Sequence, residues 1–490
     1  MDNGLPPLNV VYDNRAAVGE NVSAVIGSKR YGDIIWHRMS LREHAGQLSA
    51  GSGAARFLVL DSEEDLAALR RELQLDSGAA WAYLSARAGI KDSEAVASQL
   101  KKARYSRETL ISHQAAPLLA TFGSGAAFAD FISRLRPGEA ATGSELASPA
   151  PTMNCGDWMT DISVPENFFA FFSGSSETRS FNRLHGDRYE FVKTSKDKDK
   201  CRREYRHYHL LPEAMQRWFV LPYGYKDSGG EASYAMERLQ VPDMAMLWIH
   251  SSLSGGEFAR FLDKALRFVS ERPVREAGAA AAKSRRDGLY LEKVRTRFAA
   301  LEEHPEFARL DRLIAGGTGF SGLRAVVERY CGLYSGFPEK DTPLIEAVGH
   351  GDLCFSNILY DKRTELLKLV DPKGADNAEE LWTDALYDLA KLSHSALGLY
   401  DFINNDRFTV QLDPSGRLAL EIISPVLAAP QQDFVDRMEK LGHDIRRIRL
   451  YEASLFLSML PLHMDHPRKV VAFVLNAIHI MDELEENLGK

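Results

Sequence analysis

The stretch that decides the fold runs Val348-Gly349-His350-Gly351-Asp352-Leu353-Cys354-Phe355-Ser356-Asn357. It continues through Ile358-Leu359-Tyr360, a polar turn from Asp361 to Glu365, and Leu366-Leu367-Lys368-Leu369-Val370-Asp371-Pro372-Lys373-Gly374. Two apolar runs about a polar turn predict a β-hairpin. The tight loop before it presents Asp352 and Asn357 toward one point. The hairpin then returns the chain so that Asp371, at the end of its second strand, faces the same point. Oxygen donors of this kind, with no cysteine or histidine ligand among them, favour magnesium over zinc. Phosphoryl transfer from ATP needs such parts: a carboxylate to accept the proton of the attacking hydroxyl, and an amide oxygen and a second carboxylate for the ion that bridges the phosphates. His-Gly-Asp or Asp-Pro alone is an ordinary turn. Their joint order and spacing about the hairpin carry the reading.

This segment resembles the catalytic and metal loops of the aminoglycoside phosphotransferase and choline kinase superfamily, relatives of the protein kinases. His350, Asp352, Asn357 and Asp371 all match that pattern. Trp382-Thr383-Asp384 and Tyr387-Asp388-Leu389-Ala390-Lys391 resemble the helix whose aspartate braces the catalytic loop. More narrowly, Asp371-Pro372-Lys373-Gly374 with Tyr387 to Ser395 is similar to phosphotransferases encoded with bacterial capsule and surface-polysaccharide genes. The resemblance covers roughly residues 165–490. It implies an α+β, bilobal protein-kinase-like fold with a small β-rich N-lobe and a helical C-lobe, and ATP and Mg2+ as cofactors. Asp352 is then the catalytic base, Asn357 and Asp371 the metal ligands, and His350 and Asp388 structural supports.

The same resemblance asks the N-lobe for a phosphate-anchoring lysine and an acid to orient it. Lys193, closing the alternating run Tyr189-Glu190-Phe191-Val192-Lys193, and Glu204, on a predicted helix over 201–208, fill those places. Tyr208 and Leu211 recur at helical spacing from Glu204 and mark the expected inward stripe. Lys196, Lys198 and Lys200 lie in a polar run and read as solvated. Gly174 and Ser175 could cover the phosphates through backbone N–H groups, although an ordinary hairpin turn reads nearly as well. Glu237 and Leu239, after a strand over 232–236, are placed at the adenine hinge by order along the chain. His394, Tyr400 and Asp401 are the acceptor-site candidates, because sugar hydroxyls are held by imidazoles, aromatic faces and carboxylates.

Outward from this block, 490 residues exceed what one core supports. A segment rich in small residues and proline, 136–151, predicts a linker. The expected domains are an α/β accessory unit over 1–150, an N-lobe over 151–240 and a C-lobe over 241–490. In the first, Leu8 to Tyr12, Asp33 to Trp36 and Arg56 to Leu60 read as strands, and Asp61 reads as the cap of the helix that follows. The alanine-rich, charged stretch 275–301 reads as a solvated helix or a flexible join. Net charge is −8, from 60 basic and 68 acidic residues, which argues against a partner of nucleic acid. Four scattered cysteines fit a reducing compartment. With neither a signal peptide nor a membrane span in view, a cytoplasmic protein is expected. No residue pattern fixes an oligomeric state. The expected activity moves the γ-phosphoryl of ATP to a hydroxyl of a small, sugar-like acceptor or polysaccharide precursor. A catalytically silent or nucleotidyl-transferring kinase-like protein that regulates surface-polysaccharide assembly is the alternative.

Overall fold

The computed structural model describes residues 5–73, 78–105, 109–113, 116–146, 151–172, 182–186, 189–338, 345–424 and 427–488. The chain divides into two compact units, residues 1–177 and 178–490. The division falls beyond the expected boundary near 150. Residues 152–161 supply strands that pair with earlier ones, so this stretch belongs to the first unit.

The first unit is built on a six-stranded sheet of β1 (Leu8–Asp13), β2 (Ala54–Leu60), β3 (Ala80–Ser85), β4 (Thr109–His113), β5 (Ala116–Phe122) and β6 (Thr152–Asn154). They lie in the order β2-β1-β3-β5-β4-β6. The β2-β1-β3 part is parallel, and β1 is buried at all six positions, as a strand covered on both faces must be. Val11, Trp81, Tyr83, Phe122, Phe128 and Phe131 share one core. The expected α/β character of this part is what the sheet shows. Asp33 to Trp36 differs: a short 3-10 turn ends at Asp33 and only Ile35–Trp36 is strand. Asp61 is not the helix cap. Ser62 and Asp65 cap the helix Glu63–Leu73 reciprocally, while Asp61 takes Arg42 and the amide of Asn14.

The second unit opens with a four-stranded antiparallel sheet. It comprises β7 (Asn182–Gly186), β8 (Glu190–Ser195), β9 (Pro222–Ser228) and β10 (Glu231–Glu237), in the order β7-β8-β10-β9. Helix α1 (Lys198–Leu210) is capped by Asp197. Its buried stripe is Cys201, Glu204 and His207, continued by Leu211. Tyr208, expected on that stripe, is only partly buried, and its neighbour His207 takes the inward position instead. Beyond residue 243 helices dominate. The predicted hairpin is present as β11 (Ile358–Asp361) and β12 (Leu366–Leu369). Trp382–Asp384, placed within a helix by resemblance, is instead strand β13, paired with Ile345–Val348. The helix α2 (Tyr387–Ala396) begins three residues later.

The stretch 275–301 begins at the end of a short strand, Val274–Glu276, and from Ala279 forms a helical run that is solvated on one face only. On its buried face Tyr290, Val294, Phe298 and Leu301 enter the main core of this unit, with Tyr451, Phe456 and Phe473. Its charged residues occupy the other face, so composition alone misread it.

His207 generates a test. Its ring is buried, and burial lowers its pKa to about 3, so it is neutral in the fold. A depressed pKa gives stability that is full above the unfolded value near 6.5 and is lost as pH falls toward 3. His207→Leu should therefore raise the melting temperature at pH 4.5 by on the order of 5 °C and change it little at pH 8. An equal shift at both pH values would contradict the assignment.

Candidate functional site

The loop between Val348 and β11 is held by one carboxylate. Asp388, at the second position of α2 and without exposed surface, accepts 2.9 Å hydrogen bonds from the backbone N–H groups of both His350 and Gly351. Arg272 donates to it at 2.7 Å and is itself buried. The His350 ring accepts from the N–H of Asp352 at Nδ1 and donates to the Val370 carbonyl through Nε2 at 2.9 Å, with its face stacked on Phe219. Burial lowers its pKa, so the ring is neutral and ties the loop to the end of the hairpin. Gly351 has φ +78, and a Cβ there would lie 2.6 Å from Lys373 Cβ, so no other residue fits.

Asn357 donates its amide N–H to the Asp352 carbonyl at 2.9 Å. That contact leaves its amide oxygen as the atom available to a cation. Asp371 adopts φ +54, a left-handed conformation rare for a residue with a side chain. Such strain gathers at functional loops that the surrounding structure overdetermines. Lys193 is 2.8 Å from Asp371 and 2.8 Å from Glu204, so one buried ammonium joins the two carboxylates. In register, Lys193 on β8 stands opposite Tyr234 on β10, whose hydroxyl donates to Glu204 at 3.3 Å. The sheet therefore fixes both members of the pair that the sequence proposed. Burial alone would lower the Lys193 pKa, but Asp371, Tyr234 and Glu204 hold it well above the ordinary lysine value. Burial would raise Asp371, and Lys193 reverses this and lowers it.

Asp352 is ion-paired to Lys391 at 2.8 Å. Burial would raise its pKa, but the Lys391 ammonium outweighs that and keeps it below the usual carboxylate value. The Asp352 and Asp371 side chains each remain 43% exposed, whereas those of Lys193 and Glu204 keep 6% and 3%, so the two aspartates are reachable by a ligand. Asn357 and Asp371 together give two hard oxygen donors. That set fits an ion that keeps phosphate and water in its remaining positions. Among the described residues no group of three or more His, Cys, Asp or Glu side chains could hold a metal by itself.

Of the acceptor candidates, His394 lies one turn after Lys391 on α2. His394 is buried, stacks on Tyr400 with centroids 4.4 Å apart, and has neither ring nitrogen hydrogen-bonded among the described residues. Burial first, and then the Lys391 charge, push its pKa well down. Asp401 is buried, and burial pushes its pKa up to about 7. Glu237 ends β10 and is half-buried with Leu239; the Arg238 N–H bonds the Tyr189 carbonyl at 2.9 Å in this connection. Gly174 and Ser175 lie outside the described residues.

Three contributors escaped the sequence reading. Lys391 was legible in principle, three residues after Asp388 on one helix. Arg272 is 116 residues from its partner Asp388, and Tyr234 is 30 from Glu204; no local pattern announces either.

No family model matches the chain, and no curated protein matches it. Among solved structures, a thermostable mutant of aminoglycoside phosphotransferase APH(4)-Ia, in a ternary complex with AMP-PNP and hygromycin B, is similar at 11% identity. That match covers 62% of this chain and 91% of the other, with a TM-score of 0.37. A fructosamine-3-kinase homologue from Haemophilus somnus is similar at 15% identity, covering 60% and 83%, with a TM-score of 0.35. Aminoglycoside phosphotransferase APH(3'')-Id from Streptomyces rimosus, in complex with ADP and streptomycin, matches at 15% identity over 62% and 99%, with a TM-score of 0.32. At such scores these likenesses carry no argument about activity, which rests on this chain's own residues.

Removing one partner of a buried charged cluster costs more than the cluster contributes, because the other charge is left uncompensated. Asp388→Ala strands Arg272 and two backbone N–H groups, so it should destabilise the second unit by about 3–5 kcal/mol in urea unfolding. A change near zero would remove Asp388 from its place as the support of the loop.

Proposed function

We propose that the second unit is an ATP-dependent phosphotransferase that moves the γ-phosphoryl group to a hydroxyl of a small molecule. The observation that carries the reading is the convergence of Asp352, Asn357 and Asp371 on one loop and hairpin, with Lys193 paired to both Glu204 and Asp371. Lys193 is the phosphate anchor, oriented by buried Glu204. Asn357 and Asp371 would hold Mg2+, which supplies charge neutralisation for the phosphates when bound. The connection at Glu237 and Leu239 is the adenine hinge, and Asp388 with His350 keeps the reacting loop in shape.

Asp352 accepts the proton of the acceptor hydroxyl as that oxygen forms its bond to the γ-phosphorus. The bond from phosphorus to the β–γ bridging oxygen breaks, and ADP leaves with the electron pair. Positioning and electrostatics do the work, without a covalent enzyme intermediate. Lys391 is a positioning residue: it holds the Asp352 carboxylate ionised and aimed until the ternary complex forms. The acceptor is proposed to be a sugar or a polysaccharide precursor, taken near His394 and Tyr400. Asp401, raised toward neutrality by burial, serves the fold there more than the acceptor.

A nucleotidyl transferase would release pyrophosphate rather than ADP, so the product separates the readings, and Asp352 is the residue that tests the base. Asp352→Asn should lower kcat by about 10^2–10^4-fold with the KM for ATP little changed. Asp371→Ala should abolish magnesium-dependent nucleotide binding measured by calorimetry. Because Lys391 lowers the Asp352 pKa, Lys391→Met should move the acid limb of the pH–rate profile upward as well as slow turnover. Full activity in Asp352→Asn would defeat the assignment.

A further inference from the structure

Lysines crowd the proposed reaction carboxylate. Lys391 Nζ is 2.8 Å from Asp352. Lys293 Nζ is 3.1 Å from the hydroxyl of Tyr387, close enough for its charge to be felt at Asp352. Tyr387, Lys391 and His394 recur at spacings of four and three along α2, so they share one face of that helix. Lys293 opens the helix Lys293–Glu302 directly after a π-helical turn, Gly288–Glu292. Such turns are rare and are frequently found at functional sites. Among the described residues Lys293 has no carboxylate partner, and it meets the hydroxyl and the ring face of Tyr387.

A second observation points the same way. Two turns before Lys293 on the same helical run, Arg285 lines a cavity of about 280 Å³ that reaches Gly349, His350 and Gly351, next to Asp352. Its wall carries Arg203, Arg285 and Lys373 against a single carboxylate, Glu380. Arg203 is matched to Glu380 at 2.8 Å and Arg285 to Glu346 at 2.6 Å, which leaves Lys373 as the cation without a carboxylate among the described residues. Lys373 and Lys293 are therefore two cations near this loop that no described carboxylate pairs with. The nearby carboxylate on the α2 side, Asp401, is buried and so is closed to a ligand. A polycationic acceptor brought here would meet these like charges, which disfavour it.

We propose that the acceptor hydroxyl belongs to an anionic molecule, an alcohol that also bears a phosphate or carboxylate group, and that Lys293 binds that group beside Asp352. Lys373 extends the positive field across the loop. The proposal rests on the phosphotransferase reading and narrows its substrate class. The transfer keeps the same balance: the acceptor oxygen gains the γ-phosphoryl group, its proton goes to Asp352, and ADP departs.

The test uses the full chain with Mg-ATP and four acceptors: a hexose 1-phosphate, a hexuronate, the neutral hexose and a polycationic aminocyclitol. Turnover of one or both anions should exceed that of the neutral sugar by at least about tenfold in kcat/KM. The two anionic arms separate phosphate from carboxylate as the recognised group. Lys293→Glu should raise the KM for the anionic acceptor about tenfold or more and leave the KM for ATP unchanged, and Lys293→Arg should restore it. Preference for the neutral sugar or the polycation, or an anion KM indifferent to Lys293→Glu, would overturn the proposal. If none of the four turns over, calorimetric titration of both anions into the AMP-PNP-loaded protein decides it: binding weakened by Lys293→Glu supports it, and no binding overturns it. Failure of the wild-type protein to bind nucleotide would instead remove the phosphotransferase reading itself.

Discussion

The second unit depends on a single carboxylate that does no chemistry. Asp388 ties the N–H groups of His350 and Gly351 to Arg272 inside the protein, and each contact is 2.9 Å or shorter. A loop beginning Gly-His-Gly has little intrinsic preference for one shape, and glycine adds conformational freedom that must be removed. The two hydrogen bonds from adjacent peptide groups to one rigid acceptor remove it. Everything downstream inherits that order: His350 reaches the Val370 carbonyl, Asp352 meets Lys391, and Asn357 bonds back to Asp352. The strained left-handed Asp371 is then held from the other side by Lys193.

Charges in this site come in linked pairs rather than singly. Lys193 is shared by Glu204 and Asp371, and Lys391 is committed to Asp352. Asp371 and Asp352 each therefore rest against an ammonium that keeps them ionised. A nucleotide triphosphate would offer both lysines a more highly charged partner. The exchange of one anion for another preserves the number of satisfied buried charges, so binding need not leave one uncompensated.

How much of this was legible depended on distance along the chain. The hairpin, the aspartate at its end and the helix carrying Asp388 all lie within about forty residues; local pattern locates the hairpin, and the family resemblance supplies Asp388. The resemblance also asks for a lysine and an acid, and a strand and the helix after it each carry one suitable residue, Lys193 and Glu204. Arg272 and Tyr234 were not found, since arginine on an amphipathic helix and tyrosine in a strand have many ordinary roles. The stretch 275–301 misled for a different reason. Its alanines and charges dominate its composition, yet Tyr290, Val294, Phe298 and Leu301, spaced by three or four, supply its buried face. The boundary near 150 failed because proline and small residues mark a loop, and here the next strands return to the first sheet.

The central claim concerns which bond of the nucleotide breaks. Phosphorus-31 magnetic resonance of the protein turning over Mg-ATP with an acceptor observes this directly. The account predicts signals of ADP and of one new phosphate monoester, growing together and absent in Asp352→Asn. Pyrophosphate, accompanied by a nucleotide ester of the acceptor, would contradict it.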